Sequence, residues 1–327
     1  MKIVVGIYSR FASWNIPAGQ VDRLRAEFPQ HEFVHALRED DVGPLIADAD
    51  VAFMSEVRPA HFEVARRLRW IHSPAAGIGS MLFPALVDAD VRLSNSRGVS
   101  ADPIAEHVVA LTLALFRKFP LVFRSQAART WAQDEATAPP PLRHVQGSSV
   151  LIVGLGSIGA ACAWRFAALG AAVTGLRRRS DQPMPPGVQQ VAAIDRLHDL
   201  LPTADVVVIS AAQTGATRGL IGAGELSRMR RDAILINVSR GKLVDEAALI
   251  VALAEGTIAG AGLDVFEHEP LAPDSPLWTM PNVIVTPHMA GFRADHWDAV
   301  TNLFVDNLRR FDSGEPLKNL VDKGAGY

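Results

Sequence analysis

Along the first hundred residues the chain alternates short apolar runs, at 2–8, 32–36, 51–54, 68–72 and 91–94, with helically spaced segments such as 19–28 and 58–67. That alternation predicts a parallel sheet with helices on both faces. The stretch 73–80, SPAAGIGS, follows a strand and offers backbone amides of the kind an anion-binding turn presents; taken alone it reads only as a turn. From 104 to about 128 the spacing predicts one long amphipathic helix, with Asp102 and Pro103 as N-cap and first-turn residues. Residues 137–142, TAPPPL, read as an extended connector or arm. Further strands are predicted at 150–153, 172–176, 206–210, 233–237, 260–264 and 283–286, with helices between them. Residues 295–311 read as a closing helix, and the tail 317–327 is expected to pack back on the first domain. The fold class expected is α/β, with two Rossmann-like or flavodoxin-like doubly wound parallel-sheet domains.

The second sheet is organised around 148–180, a strand, a glycine turn, a helix and a second strand. The apolar run 150–153 ends at Gly154, Gly156 and Gly159 in G-x-G-x-x-G spacing. Gly154 allows the tight turn, Gly156 lets the backbone approach a pyrophosphate, and Gly159 lets the helix pack closely on its strand. The helix at 158–169 then aims its first amides at the phosphates, where its dipole favours an anion. The spacing alone is weak, but the apolar strand before it and the Ala-rich helix after it make the unit a dinucleotide site. The next strand ends where an NAD site carries an acid for the ribose 2′-hydroxyl, and here stand Arg177, Arg178 and Arg179. Guanidinium groups pair with a 2′-phosphate, so NADP(H) is expected in preference to NAD(H); the plain alternative is a solvated basic loop.

Composition narrows the class. With 327 residues the chain is long enough for two full cores, and a net charge of -3 gives no reason to expect nucleic acid or an anionic membrane as partner. The N-terminal run reads as a strand rather than a signal peptide, and no apolar stretch has membrane-spanning length, so a cytoplasmic protein is expected. Cys162 is the single cysteine, which excludes an intrachain disulfide and a cysteine-based metal cluster; among alanines on its helix it reads as a small buried hydrophobe. No metal site, phosphate loop or nucleophile elbow is visible.

Ligands of doubly wound sheets bind beyond the carboxyl ends of the strands, which here carry 237–240, 264–269 and 287–288. Reduction of a 2-keto acid by a nicotinamide needs a cation for the carboxylate, a proton donor for the keto oxygen and a means of keeping that donor charged. Arg240 offers a guanidinium fork, His288 a ring able to exchange a proton near neutral pH, and Glu269 a carboxylate to partner it. Spacing does not show that the three converge, and each has a plainer reading as a surface, strand-ending or solvated residue. His107 and His268 are the rival histidines.

VLIVGLGSIG at 150–159, VSRG at 238–241, GLDVFEHEP at 262–270 and TPHMAG at 286–291 together resemble the NAD(P)-dependent D-2-hydroxyacid dehydrogenases, particularly their glyoxylate/hydroxypyruvate reductase branch. The likeness covers nearly the whole chain and is strongest from 149 to 291. It implies a cofactor domain at 101–290 inserted into a substrate-binding domain made of 1–100 and 291–327. It implies that Arg240 binds the substrate carboxylate and keto oxygen, that His288 is the general acid/base with Glu269 as partner, and that the backbone of Ala76 and Gly77 receives the carboxylate. Cofactor contacts are implied for the turn with Ser157 and Ile158, for Val238, and for Asp264 against the nicotinamide carboxamide. A homodimer built on the helix at 104–128 is implied, with Trp131 on an arm towards the partner's site. The activity implied is reduction of a small 2-keto acid to the D-2-hydroxy acid; a larger 2-keto acid, or a non-enzymatic dinucleotide sensor like the corepressor relatives of this fold, are the alternatives. The chain departs from the pattern at SAAQTGATRGL, which puts the ribose contacts in doubt, and at FRADHW, on the rim of the substrate pocket. The lack of a C-terminal regulatory extension argues against the longer phosphoglycerate dehydrogenases, and the His–Glu pairing against formate dehydrogenase.

Overall fold

The computed structural model describes residues 1–178 and 182–326, which form two units, Met1–Val99 with Arg293–Tyr327, and Ser100–Phe292. In the first unit β1 (Lys2–Gly6), β2 (Glu32–His35), β3 (Val51–Met54), β4 (Trp70–Ser73) and β5 (Arg92–Asn95) form one parallel sheet in the order β2-β1-β3-β4-β5. Side chains alternate across it. Ile3, Val5, Phe53 and Trp70 face one layer of helices, and Val4, Ala52, Met54 and Ile71 the other. Helix His296–Ser313 covers the first face, stacking Phe304 on Phe53 with ring centroids 4.2 Å apart. A buried ring of that size contributes about 1.5–3 kcal/mol through apolar burial.

The second unit carries β6 (Ser149–Val153), β7 (Ala172–Arg177), β8 (Gln190–Ala193), β9 (Val206–Ile209), β10 (Ile234–Asn237), β11 (Gly260–Leu263) and β12 (Val283–Val285). All are parallel, in the order β12-β11-β10-β9-β6-β7-β8. The order reverses at β6, which makes the gap between β6 and β9 the topological switch point where such sheets take their ligands. Helices Ala101–Phe116 and Ser157–Ala168 pack Val108, Leu111, Cys162 and Phe166 on one face, and helix Glu246–Ala254 packs Leu249 and Leu253 on the other.

Three local features differ from the sequence reading. The helix expected from 104 to about 128 is two, Ala101–Phe116 and Phe119–Ala127, separated by Lys118 with φ of 54°. Pro120 has no N–H to continue the ladder, and its ring would clash with the preceding turn. Ser100, not Asp102, occupies the cap position, so Asp102 lies in the first turn and Pro103 at the third helical residue, where no intrahelical N–H bond is lost. β8 was not expected; it is an edge strand with no fully buried residue, so it shows no apolar run.

Candidate active site

Gly154 ends β6 with φ of +103°, and a Cβ there would lie 2.5 Å from the backbone of Ala211 on the neighbouring strand end, so only glycine makes this turn. A Cβ on Gly159 would stand 2.0 Å from the Gly154 carbonyl, which brings helix Ser157–Ala168 down onto its strand. Gly156 differs: nothing lies within 4 Å of where its Cβ would be. The backbone there is open, and the amides of Ser157, Ile158 and Gly159 begin a helix of 12 residues, whose first N–H groups have no partner within the helix. An open backbone edge beneath a helix N-terminus fits a pyrophosphate.

The arginines at the end of β7 differ in exposure. Arg177 donates from Nη1 to the Pro183 carbonyl at 3.2 Å and from Nη2 to the Gln182 carbonyl, so its guanidinium is turned onto the following loop. Arg178 is exposed. Arg179 lies outside the described residues.

The remaining strand ends converge on one cleft of about 250 Å³ within this unit, lined by Gln213, Arg240, Lys242, Phe266, Glu267, Glu269 and His288 among others. The three residues singled out from the sequence therefore meet. After β10, Asn237 braces the turn by donating from Nδ2 to the Arg240 carbonyl at 3.2 Å and accepting from the Ser239 N–H at 3.2 Å. A Cβ on Gly241 would fall 1.8 Å from the Phe266 carbonyl carbon, so the turn carrying Arg240 is pressed against the loop carrying Glu269. Val238, just before it, is buried. Burial pulls the Arg240 guanidinium below its ordinary value, and the Glu269 charge opposes that pull.

Glu269 Oε2 lies 2.6 Å from His288 Nδ1, and its Oε1 accepts from the Phe266 N–H at 3.1 Å. Burial alone would raise this carboxyl. The hydrogen bond and charge of His288, the Phe266 amide and Arg240 outweigh it and hold Glu269 below the usual carboxylate range. A carboxylate is acceptor only, so Nδ1 carries the shared proton and Nε2 is the ring atom on the opposite edge.

Asp264 is 1% exposed and its carboxylate is spent inside the protein. Oδ1 accepts from the Thr286 hydroxyl at 2.6 Å and the Met289 N–H at 2.9 Å, and Oδ2 from the Ala290 N–H at 3.0 Å. These bonds hold the loop around His288. In the other unit, Ala76 and Gly77 lie exposed on the loop after β4, where Asn95 donates from Nδ2 to the Ala76 carbonyl at 2.7 Å. Of the rival histidines, His107 does not line the cleft and has Nε2 3.0 Å from the Thr286 hydroxyl, and His268 is exposed. Gln213, Lys242 and Glu267 line the cleft without having been singled out; their only signal in the sequence was position at a strand end. Among the described residues no cluster of His, Cys, Asp or Glu would hold a metal ion, and no helix is long and apolar enough to cross a membrane.

A family model, D-isomer specific 2-hydroxyacid dehydrogenase, NAD binding domain, matches residues 109–290. The chain is 34% identical over 308 residues to a glyoxylate reductase of Korarchaeum cryptofilum (strain OPF8), covering 93% of this chain and 90% of that one. Among solved structures, a D-isomer specific 2-hydroxyacid dehydrogenase from Xanthobacter autotrophicus Py2, in complex with NADPH and MES, superposes with a TM-score of 0.82 at 32% identity, covering 100% of this chain and 99% of that one. An NADPH-dependent glyoxylate/hydroxypyruvate reductase from Sinorhizobium meliloti, in complex with NADP and sulfate, gives 0.84 at 28% identity, with 100% and 99% covered.

Proposed function

The chain belongs to the D-isomer specific 2-hydroxyacid dehydrogenases, and from that premise we propose that it reduces a small 2-keto acid of the glyoxylate/hydroxypyruvate type to the D-2-hydroxy acid, with NADPH preferred to NADH. The observation that carries the reading is the 2.6 Å pairing of Glu269 with His288 on the same cleft as Arg240. Arg240 binds the substrate carboxylate and polarises the keto oxygen through its planar fork. His288 presents Nε2 to that oxygen and gives it a proton, while Glu269 keeps the ring oriented and balances its charge. When bound, the reduced nicotinamide supplies the hydride that C2 accepts.

The turn from Gly154 to Gly159, with Ser157 and Ile158, holds the pyrophosphate, and Val238 borders the cofactor beside Arg240. Exposed Arg178 supports recognition of a 2′-phosphate, and the relatives solved with NADPH and NADP support the same preference. The unit Met1–Val99 with Arg293–Tyr327 is assigned to the substrate, with the amides of Ala76 and Gly77 on its carboxylate, and the unit Ser100–Phe292 to the cofactor. A homodimer is supported by apolar side chains left in solvent on the second unit, Phe123 at 59% exposed, Trp164 at 57% and Trp131 at 89%, since patches of this kind mark protein interfaces.

The test is the loss of reduced-nicotinamide absorbance with NADPH and with NADH over glyoxylate, hydroxypyruvate, pyruvate, phenylpyruvate and branched 2-keto acids. Turnover is expected to be faster with NADPH and best with the shortest acids. Tight NADPH binding with no turnover across the panel would overturn the assignment of an enzyme.

A further inference from the structure

His107 lies outside the cleft, on the face of helix Ala101–Phe116 that packs against β11 and β12, with its side chain 18% exposed. Its Nε2 is 3.0 Å from the Thr286 hydroxyl oxygen, and that hydroxyl is 2.6 Å from Asp264 Oδ1. A hydroxyl has one proton. Asp264, as a carboxylate, can only accept, so Thr286 gives its proton to Asp264 and must receive one from His107 Nε2–H. The ring is thereby fixed as the tautomer protonated at Nε2.

The chain of bonds continues to His288. Asp264 accepts from the N–H groups of Met289 and Ala290 through its carboxylate, and its backbone carbonyl accepts from the His288 N–H at 2.9 Å. His288 itself has φ of 50°, a left-handed conformation that costs a residue with a Cβ and persists only where surrounding bonds over-determine it. Those bonds come from Asp264 and from the Thr286 carbonyl, which shares the His288 N–H at 3.0 Å, and the Thr286 hydroxyl is the side-chain donor on the Asp264 carboxylate beside the Met289 and Ala290 amides. We propose that His107 is a positioning residue, its Nε2–H locking Thr286 onto Asp264 so that the loop holds His288 in register with Glu269.

Burial holds His107 below its ordinary value, the neighbouring Asp264 charge opposing, which agrees with a neutral donor rather than a second acid. As regards turnover, the inference rests on the role proposed above for His288. A plain packing role makes the opposite prediction about substitutions, because Phe keeps the ring and loses the donor whereas Gln keeps a donor and loses the ring.

The experiment compares His107→Phe, His107→Gln, Thr286→Val and the double variant His107→Phe/Thr286→Val in the full chain. Small misplacements of a catalytic group reach losses on the order of 100-fold, so His107→Phe is expected to lower kcat at least about tenfold with the KM for NADPH unchanged, and His107→Gln to restore most of it. The double variant is expected to be no slower than Thr286→Val, since both cut one relay. A His107→Phe protein as active as the parent, or more active than His107→Gln, would overturn the proposal. Nitrogen-15 spectra of histidine-labelled protein give a second readout without turnover. The His288 Nδ1–H signal, identified by its loss in His288→Asn, should change in His107→Phe and Thr286→Val and return in His107→Gln; one signal in all three overturns the relay. Absence of turnover in the parent would count against the dehydrogenase reading alone and leave the spectra to decide the relay.

Discussion

The Glu269 carboxylate stands 2.6 Å from His288 Nδ1 and is held below the usual carboxylate range, so it is charged at neutral pH. Replacing it by Gln keeps the size and removes the charge. We predict that Glu269→Gln lowers kcat about 100-fold, in line with the worth of a positioned general acid/base. The KM for NADPH should not move. The sign of the pH response follows from the direction of the shift: Glu269 supports the charged ring above its own depressed value and loses that ability as pH falls through it. Across the range where Glu269 is charged its carboxylate favours the protonated ring and Gln does not, so reduction by the parent should persist to higher pH than in the Gln variant. Steady-state rates from pH 5 to 9 check this, and coincident profiles would refute the pairing.

Arg177 and Arg178 are adjacent in sequence and differ in exposure. Arg177 is half-buried and donates to the carbonyls of Gln182 and Pro183, and Arg178, just after β7, is exposed. The expected outcome is that Arg178→Ala raises the KM for NADPH at least about tenfold while changing that for NADH little, consistent with loss of a charge-assisted contact to phosphate. Arg177→Ala should instead weaken both cofactors by a similar factor, because it loosens the loop rather than removing one contact. Equal effects of Arg178→Ala on NADPH and NADH would count against a 2′-phosphate role.

Much of this architecture was legible because buried parallel strands write themselves as apolar runs. β3, β9 and β10 are buried at every residue and stand out at once. β8 lies at a sheet edge with partly exposed side chains and leaves no such trace. The break at Lys118 was readable in principle from Pro120, but the apolar spacing on either side masked it. Arg240, Glu269 and His288 were found as strand-end residues. Their convergence was not legible, since it depends on Gly241 letting one loop press against another. Lys242, Gln213 and the Asp264–Thr286–His107 bonds belong to no short motif; they arise from strand order, which sequence spacing does not report.

Cys162 is fully buried between helix Ser157–Ala168 and the sheet, and burial pushes its thiol up to about 12. The thiolate is the reactive form, so at pH 8 almost none is present. We predict no reaction with a thiol-specific disulfide reagent over an hour in the folded protein and one equivalent released after addition of guanidinium. Rapid labelling of the native protein would show that the helix opens far more readily than its packing suggests.

His72 is fully buried on β4, with Nδ1 2.7 Å from the Ser94 hydroxyl, which accepts from Trp70 Nε1 at 2.8 Å. Burial holds the ring down at about 3, against 6.5 when exposed. Between those values the unfolded chain binds a proton that the folded protein refuses, so the contribution of His72 to stability is fully present above about pH 6.5 and is lost as pH falls towards 3. One such group removes up to about 1.4 kcal/mol per pH unit, hence roughly 2 kcal/mol between pH 7 and pH 5. Asn at this position keeps an acceptor near Nδ1 and cannot titrate. Urea unfolding followed by circular dichroism at both pH values should therefore show a larger loss of stability on acidification for the parent than for His72→Asn. The difference between the two losses isolates His72, because every other titrating group is common to both proteins. Equal losses would mean that the folded ring accepts a proton near its ordinary value and that the Trp70–Ser94–His72 cluster is open to water.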